Sequence, residues 1–337
     1  MQEFCISIID VGHGNSAVLC SQDRTVVFDG GKGSALLEFL QAEKIRKIDA
    51  ILVSHADEDH IGGLMAVVAC GEFEIGKVRM NSDASKNTKL WNQFLGMLNI
   101  LSLNGIIDGA VSLTNSGTDD LQLGSIDIKI LAPNLYIAGK TAGSVDTKGR
   151  VITSNSASAV FQILVDSKPL VLLPGDVDQN GLELLVEDNK EKEADLQTPI
   201  VIFPHHGGKP EKGDPIKFAT RLCQVILPEL VIFSIGRDRY ELPREEVISA
   251  ITKCNPKMRI MCTQLSKQCA EKDLKVTPTH LTQKFSQGRQ NNRCCAGTIT
   301  ILRKEGDVEV LPKENAHDKF LRAVIPNALC MNARHKK

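Results

Sequence analysis

Short apolar runs alternate with amphipathic segments along most of the chain, and the spacing of the apolar residues separates strands from helices. In the first half, one stretch has apolar residues every three or four positions. That stretch, residues 35–43, predicts a helix with Ser34 as its N-cap. The other runs of this half predict strands at 4–11, 17–21, 25–29, 48–54 and 77–80, and helices at 61–70 and 88–103.

The same alternation repeats in a second half that begins near residue 121. Its runs predict strands at 126–131, 158–165, 169–173, 200–203, 230–234, 259–262, 297–303 and 308–311, and helices at 181–186, 216–223 and 244–253. Strands with covering helices in each half favour two mixed β-sheets packed face to face with helices outside, an α/β (α+β) sandwich. We expect one domain over residues 1–312, with a polar insertion at 264–293 and a C-terminal extension at 313–337.

Composition is that of an ordinary globular protein. Hydrophobic residues make up 42% of the chain, charged residues 24%, and the net charge is -1. A neutral chain has no global attraction to nucleic acid or to an anionic membrane. No apolar run is long enough to span a bilayer, and residues 4–11 read as a strand rather than a signal peptide. We therefore expect a cytoplasmic protein without membrane contact.

The highest concentration of potential metal-binding side chains lies directly after the apolar run 51–53. His55, Asp57, Asp59 and His60 fall within six residues, and Gly62-Gly63 follow. One interpretation is a charged turn in which Asp57 or Asp59 caps the next helix. That explains one aspartate but not two histidines and two aspartates together. Nitrogen and carboxylate ligands on a loop at a strand end instead indicate a metal site.

Five other segments resemble the motifs of a known family and occur in the same order along the chain. They are D-V-G-H-G-N-S at 10–16, F-D-G-G at 28–31, L-L-P-G-D at 172–176, P-H-H-G at 204–207, and the turn 233–243. With the H-x-D-x-D-H loop at 55–60, this set resembles the metallo-β-lactamase superfamily. It is most similar to the branch that contains the soluble hydrolase domain of the DNA-uptake protein ComEC. The resemblance covers about residues 4–311 and implies a four-layer αββα sandwich.

The resemblance also implies roles for individual residues. It implies metal ligands at His55, Asp57, Asp59, His60, Asp176 and His205. Beside these ligands, we expect catalytic roles for Asp59 and His206, and substrate contacts at Asn155, His13, Arg237 and Tyr240. We expect two divalent ions, Zn²⁺ and/or Mn²⁺ with Mg²⁺ possible, because the ligand set is rich in oxygen. Which of the two adjacent histidines is the ligand stays open, and Asp29 is expected to hold the ligand loop by hydrogen bonds.

This chain departs from the family pattern in ways that leave alternatives open. Many members add a third histidine to one metal position, but this chain has none between His60 and His205. Asn155 stands nearby as a weak ligand, a substrate contact or simply a turn residue. His13 is an extra ligand, a proton carrier or a surface histidine. The Gly- and Thr-rich segment 134–154 is expected to be a loop that covers the active site.

The expected function is a metal-dependent hydrolase, a phosphodiesterase or nuclease that uses a metal-activated hydroxide at a dinuclear site. Its partner is then nucleic acid or a small phosphoester substrate. One alternative is another substrate, such as a lactone, thioester or peptide bond, because the fold does not fix the function. Another is a metal-retaining partner-binding module in a defence or toxin-like system, with a protein partner. The oligomeric state stays open.

Ten cysteines in a chain of this length do not indicate a disulfide framework. Cys262, Cys269, Cys294 and Cys295 cluster late in the sequence, with His280 between them. A structural zinc site is one interpretation. We favour buried or loop cysteines, because there is no C-x-x-C pair and two adjacent cysteines rarely bind one ion.

Overall fold

The computed structural model of the chain describes residues 2–81, 86–111, 113–116, 122–140, 142–237 and 240–331. The described chain contains fourteen strands: β1 (Gln2–Ile8), β2 (Ala17–Ser21), β3 (Arg24–Phe28), β4 (Lys47–Val53), β5 (Glu74–Met80), β6 (Asp108–Val111), β7 (Ile126–Ala132), β8 (Val160–Val165), β9 (Lys168–Leu173), β10 (Ile200–Ile202), β11 (Leu230–Phe233), β12 (Arg259–Cys262), β13 (Ile299–Lys304) and β14 (Asp307–Leu311). Its helices are α1 (Ala35–Ala42), α2 (Glu58–Cys70), α3 (Lys89–Leu103), α4 (Leu135–Ala138), α5 (Gln179–Asp188), α6 (Pro215–Ile226), α7 (Glu245–Cys254) and α8 (Glu314–Val324).

The strands form two mixed sheets. One has eight strands in the order β14-β13-β1-β2-β3-β4-β5-β6, and the other has six in the order β12-β11-β10-β9-β8-β7. Strands β3 to β6 run parallel to one another, as do β9 to β12. Parallel neighbours place the carboxyl ends of several strands at one edge, where α/β sheets commonly bind ligands.

Three apolar layers hold this arrangement together. The inner faces of the two sheets meet in one core, for example where Phe28 packs against Phe161. The outer face of the first sheet packs on α1, α2 and α3, and that of the second packs on α5, α6 and α7. The order of layers is therefore αββα, which confirms the fold class expected from the sequence.

The loop predicted over 134–154 lies against α5 wherever it is described. Arg150 donates to Asp146 over 2.7 Å and to both carboxylate oxygens of Glu187 over 2.9 Å. Asn134 donates to Asp188 at the end of the same helix. These contacts attach the loop to α5, whereas the sequence suggested a cover over the active site.

The segment 264–293 is held by hydrogen bonds to Asp10, which lies two residues after β1. The buried Asp10 carboxylate accepts hydrogen bonds from Gln264 Nε2 at 2.8 Å and from the Gly288 amide at 2.9 Å. Burial raises the pKa of Asp10 despite these bonds. The domain boundary expected at residue 312 stays a prediction, although α8 packs its Leu321 on Leu265 and Cys295.

The cysteines of the last third lie in two separate environments. Cys294 lies 3.4 Å from Asp10, whereas Cys262, Cys269 and Cys295 line an apolar cluster with Cys330. Burial raises the pKa of Cys262 and Cys295 well above the usual thiol value. These thiols are therefore protonated, which agrees with the interpretation as buried cysteines. Among the described residues, no helix is both long and apolar enough to cross a bilayer.

Candidate metal centre

The carboxyl ends of parallel strands bring the predicted ligands to one edge of the sandwich. The loop with His55 and Asp57 follows β4, which pairs with β3 on one side and β5 on the other. Asp176 follows β9, and His205 follows its parallel neighbour β10. The two sheets thus contribute ligands from corresponding ends, as the family resemblance implied.

Four of the side chains converge on one point. One ligand atom from each of Asp59, His60, Asp176 and His206 lies within 4.8 Å of the others. His206 Nε2 is 3.2 Å from Asp59 Oδ2 and 3.7 Å from Asp176 Oδ2. His60 Nε2 is 3.6 Å from the same Asp176 oxygen. Among the described residues, no other group of three or more histidine, cysteine or carboxylate side chains brings its ligand atoms this close together.

Hydrogen bonds behind the ligands select which ring nitrogen faces the centre. His60 Nδ1 lies 2.8 Å from Asp29 Oδ2, and His206 Nδ1 lies 2.8 Å from the carbonyl of Ser234. Because both partners only accept, each Nδ1 carries the proton and each Nε2 keeps a lone pair for a cation. Asp29 also accepts from the Ser54 amide and hydroxyl, so its expected role in holding the ligand loop is confirmed.

The two adjacent histidines are held in unusual backbone conformations. His205 has φ +51°, His206 has φ +55°, and Gly207 continues with φ +80°. Non-glycine residues seldom adopt this left-handed region, and such strain is typical of functional sites. The turn places His206 against Asp59, whereas His205 Nδ1 is 3.7 Å from Asp176. The geometric cluster therefore contains His206, although the family resemblance favoured His205.

Asp176 is fixed between the two sheets. Its Oδ1 accepts from the His205 amide at 3.0 Å and from Asn15 Nδ2 at 3.4 Å. Its own amide donates to Ser158 Oγ at 3.3 Å. With Oδ1 engaged, Oδ2 is the oxygen that faces His60 and His206. Asp176 therefore turns one carboxylate oxygen toward both imidazoles, and the bridging role that the family resemblance implied stays a prediction.

His55 and Asp57 lie beside this cluster. His55 Nε2 is 3.6 Å from Asp57 Oδ2, and His55 Nδ1 lies 3.0 Å from Ser54 Oγ. Asp57 occupies the N-cap position of α2, but its side chain makes no capping hydrogen bond with the described residues. The Lys86 ammonium instead contacts Asp57 Oδ1. Capping is therefore not the role of this aspartate.

The donors fit a divalent cation. The Nε2 atoms of His55, His60 and His205 are buried, and each lacks a hydrogen-bond partner among the described residues. Buried polar atoms normally find partners, so unpaired imidazole nitrogens beside carboxylates indicate a metal site. Asp59, His60, Asp176 and His206 would hold the ion most completely.

Electrostatics also favour a cation. Burial alone would raise the pKa of Asp59, but hydrogen bonds with His13 and His206 hold it well below its usual value. The neighbouring histidines likewise lower the pKa of Asp176 against its burial. Burial would lower the pKa of His60, yet Asp29 and Asp176 raise it well above its usual value. Asp59 and Asp176 are thus anionic at neutral pH, and they draw positive charge to the centre.

His13 and Tyr240, both predicted substrate contacts, lie at the mouth of the centre. His13 Nε2 is 3.3 Å from Asp59 Oδ2, and its ring is 4.5 Å from that of His206. The half-exposed Tyr240 ring stacks on His13 at 4.8 Å. Asn155 keeps a buried Oδ1 without a hydrogen-bond partner among the described residues, so its predicted role stays open.

Arg237 holds the 264–293 segment in place. Only 3% of its side chain is exposed, and its guanidinium donates to Asp273 and to the carbonyls of Leu265 and Ala270. Arg237 also lines a pocket with His13, so its predicted contact with substrate stays a prediction. Arg239, the other arginine of this turn, lies outside the described residues.

Fold and centre together define a metal-binding αββα sandwich with ligands at the carboxyl ends of its strands. The family model for the metallo-beta-lactamase superfamily matches residues 9–206, which is more than half of the chain. The chain belongs to this superfamily.

Curated relatives resemble the branch that the sequence motifs indicated. Competence protein ComA of Neisseria gonorrhoeae is 23% identical over 250 residues, covering 73% of this chain and 29% of that protein. ComE operon protein 3 of Bacillus subtilis is 22% identical over 270 residues, covering 74% of this chain and 30% of that protein. The chain therefore spans about three-tenths of the length of these relatives.

Two solved structures are also similar to this chain. Igni18, a metallo hydrolase from Ignicoccus hospitalis, is 15% identical with a TM-score of 0.45, covering 77% of this chain and 94% of that one. The metallo-beta-lactamase fold protein YhfI from Bacillus subtilis is 14% identical with a TM-score of 0.45. The match covers 77% of this chain and 96% of that one.

Proposed function

We propose that the protein is a metal-dependent phosphodiesterase that cleaves nucleic acid. The observation that carries this proposal is the cluster of Asp59, His60, Asp176 and His206 at the edge of the sandwich. Carboxylates and imidazoles in one centre suit Zn²⁺ or Mn²⁺. The similarity to a competence protein, and the motifs shared with the hydrolase domain of a DNA-uptake protein, favour nucleic acid as the substrate.

A divalent cation held there would act as a Lewis acid, lowering the pKa of a water molecule and offsetting negative charge on phosphoryl oxygens. The chain itself supplies position and proton transfer. Asp59 Oδ2 faces both His13 and His206, so it can orient a water molecule and accept its proton. His13 Nε2 lies 3.3 Å from the same oxygen and can help to hold the Asp59 carboxylate in place.

His206 then takes a different role from the catalytic one expected from the sequence. Its Nδ1–H donates to the Ser234 carbonyl, and its Nε2 faces Asp59 and Asp176. A ring fixed by a backbone carbonyl is well suited to bind a cation through the opposite nitrogen. We therefore assign His206 to metal binding and leave His205 as a neighbouring group that orients Asp176 through its amide.

The surroundings of His13 suit a substrate with more than one phosphate or with a base. A pocket of about 270 Å³ opens beside it, lined by backbone glycines and by polar side chains of the 264–293 segment, among them Gln264, Gln287 and Arg293. Amides and a guanidinium can bind phosphate oxygens or the edges of bases. The exposed face of Tyr240 offers a surface on which a base can stack.

The experiment compares the wild-type protein with Asp176→Asn after loading with Mn²⁺ or Zn²⁺. We expect cleavage of bis(p-nitrophenyl) phosphate and of single-stranded DNA or RNA, reduced at least about a hundredfold in the variant, because Asn cannot supply the anionic charge. The exposed carboxylate variant Glu211→Gln is the control and should keep wild-type activity. Loaded wild-type protein that cleaves none of these substrates would contradict the proposal.

A further inference from the structure

The pocket of about 270 Å³ beside His13 is formed by three parts of the chain. Two of its walls come from the motif segments 10–16 and 233–243, and the 264–293 segment supplies the third. His13 connects the pocket to the metal centre, because it lines the pocket while its Nε2 lies 3.3 Å from Asp59 Oδ2. A group that enters the pocket therefore lies next to a substrate held at the centre.

Glycines let the walls of this pocket approach each other closely. Gly12 has φ +74°, and a Cβ added there would lie 2.2 Å from Gln287 Oε1. A Cβ added at Gly236 would lie 2.5 Å from the backbone nitrogen of His13. Because neither glycine has a side chain, the Gln287 amide lies against the loop that carries His13. The 264–293 segment thus places a polar side chain beside the residue that reaches the centre.

The two arginines of the pocket differ in how far their donors are already used. The Arg237 guanidinium donates through all three nitrogens, to Asp273 and to two backbone carbonyls. Arg293 donates through Nε to the other oxygen of Asp273 at 3.0 Å, and 42% of its side chain is exposed. Its Nη1 and Nη2 have no hydrogen-bond partner among the described residues. Asp273 therefore fixes the Arg293 side chain and leaves its outer donors for a ligand.

The amide side chains of the pocket add both donors and acceptors. Gln287 and Asn291 are exposed, and within the described part of the chain their amides have no hydrogen-bond partner. Gln264 is buried, and its amide is taken by Asp10 and by the backbone of Arg237. No carboxylate is among the described residues that line the pocket. A phosphate only accepts hydrogen bonds, so a lining that also offers acceptors favours a nucleobase, which has donors and acceptors on its edges.

We propose that this pocket binds the base of the nucleotide next to the cleaved phosphate and selects guanine. The inference rests on the proposed cleavage of nucleic acid and specifies a base within that substrate. Guanine presents two neighbouring acceptors, O6 and N7, to which Nη1 and Nη2 of Arg293 can donate together. Adenine has a donating amino group in place of O6, so it cannot accept both bonds. The Tyr240 ring, stacked on His13 at 4.8 Å, adds an aromatic surface at the mouth.

The dissociation constants of guanosine and adenosine 5′-monophosphate, measured by isothermal titration, test this inference. Their ratio isolates the base, because the sugar and the phosphate are the same in both. Wild-type protein, whether metal-free or loaded with Mn²⁺, should bind the guanosine nucleotide at least about fivefold more tightly. In Arg293→Met the two constants should agree within about twofold, because the donors to O6 and N7 are gone.

Arg221→Met is the matched control. It removes a partly exposed arginine that pairs with Glu183 and does not line the pocket, so it should keep the wild-type ratio. Equal binding of the two nucleotides by wild-type protein would overturn the inference, as would no detectable binding of either. Binding of inorganic phosphate that is lost in Arg293→Met, without preference for a base, would identify a phosphate site instead.

The wild-type ratio decides the question even if the Arg293→Met protein does not fold. A failure of the proposed function would look different. It would appear as absent phosphodiester cleavage, whereas the preference for the guanosine nucleotide would be intact in the same protein.

Discussion

Two adjacent histidines, His205 and His206, have different surroundings although they share one turn. His206 is fixed by the Ser234 carbonyl and faces two carboxylates. His205 reaches Asp176 mainly through its backbone amide. Burial lowers the pKa of His205, whereas Asp176 and Asp59 raise the pKa of His206 against its burial. The carboxylates therefore act chiefly on His206.

Exchanging each histidine for glutamine separates the two roles. We expect His206→Gln to weaken Mn²⁺ binding by at least about tenfold, because a ligand atom is lost. His205→Gln keeps the backbone amide and should change affinity by less than about threefold. Isothermal titration of metal-free protein measures both. A larger loss in His205→Gln than in His206→Gln would show that the ligand is His205.

Individual site residues were predictable where they belong to ordered motifs. Asp59, His60 and Asp176 stand in such motifs, and the structure brings them together. Lys86 was not predictable, because its contact with Asp57 depends on two strands lying side by side. The surroundings of Arg237 were not predictable, since a sequence shows a charge but not the carbonyls that surround it.

At the scale of elements, α2 is positioned by glycines that let two backbones approach. The Gly63 amide donates to the Gly31 carbonyl at 2.8 Å, and the Gly30 amide donates to the His60 carbonyl at 2.6 Å. A Cβ added at Gly63 would lie 2.0 Å from the Gly30 carbonyl oxygen. The first turn of the helix, with Asp59 and His60, is thereby fixed to the turn after β3.

Gly63→Ala should therefore lower the melting temperature and weaken Mn²⁺ binding together, because the helix must move away from the turn. Gly96→Ala is the matched control in α3, where an added Cβ meets no atom of another element within 4 Å. We expect it to keep metal affinity and to be stabilised slightly, as alanine is the better helix former. Thermal unfolding and metal titration of both variants measure this. Unchanged metal affinity in Gly63→Ala would contradict the assigned role of the helix.

The loop on α5 carries an acid-sensitive ion network. Burial would raise the pKa of Asp146, but hydrogen bonds from Arg150 hold it below its usual value. The Arg150 guanidinium likewise lowers the pKa of Glu187. Carboxylates with lowered pKa stabilise the folded state at neutral pH, and this contribution is lost as pH falls through the acidic range.

Arg150→Met should accordingly lower the melting temperature at pH 7. The difference from wild type should begin to shrink below about pH 4, where the unfolded chain takes up protons, and should be lost at still lower pH, where Asp146 and Glu187 are protonated in folded wild type as well. Thermal unfolding at a series of pH values measures the difference. A difference that stays constant between pH 7 and the acidic range would show that packing, not charge, accounts for the effect of the mutation.

At the scale of the whole molecule, the alternation of apolar runs was enough to predict two covered sheets. Long periodic segments such as α3 were recognised, and so was the short strand β12, whereas β6 and α4 were not. The strand β6 has four residues, Asp-Gly-Ala-Val, which carry little strand signal, and α4 lies within a segment expected to be a loop. Strand order was not predictable from periodicity, because it depends on contacts between distant segments.

The proposed metal-dependent phosphodiesterase is tested most directly by the rate of bis(p-nitrophenyl) phosphate hydrolysis as Mn²⁺ is titrated into metal-free protein. If Asp59, His60, Asp176 and His206 hold a catalytic ion, the rate should rise with added Mn²⁺ and level off once the centre is filled. No hydrolysis at saturating metal would contradict the proposed phosphodiesterase.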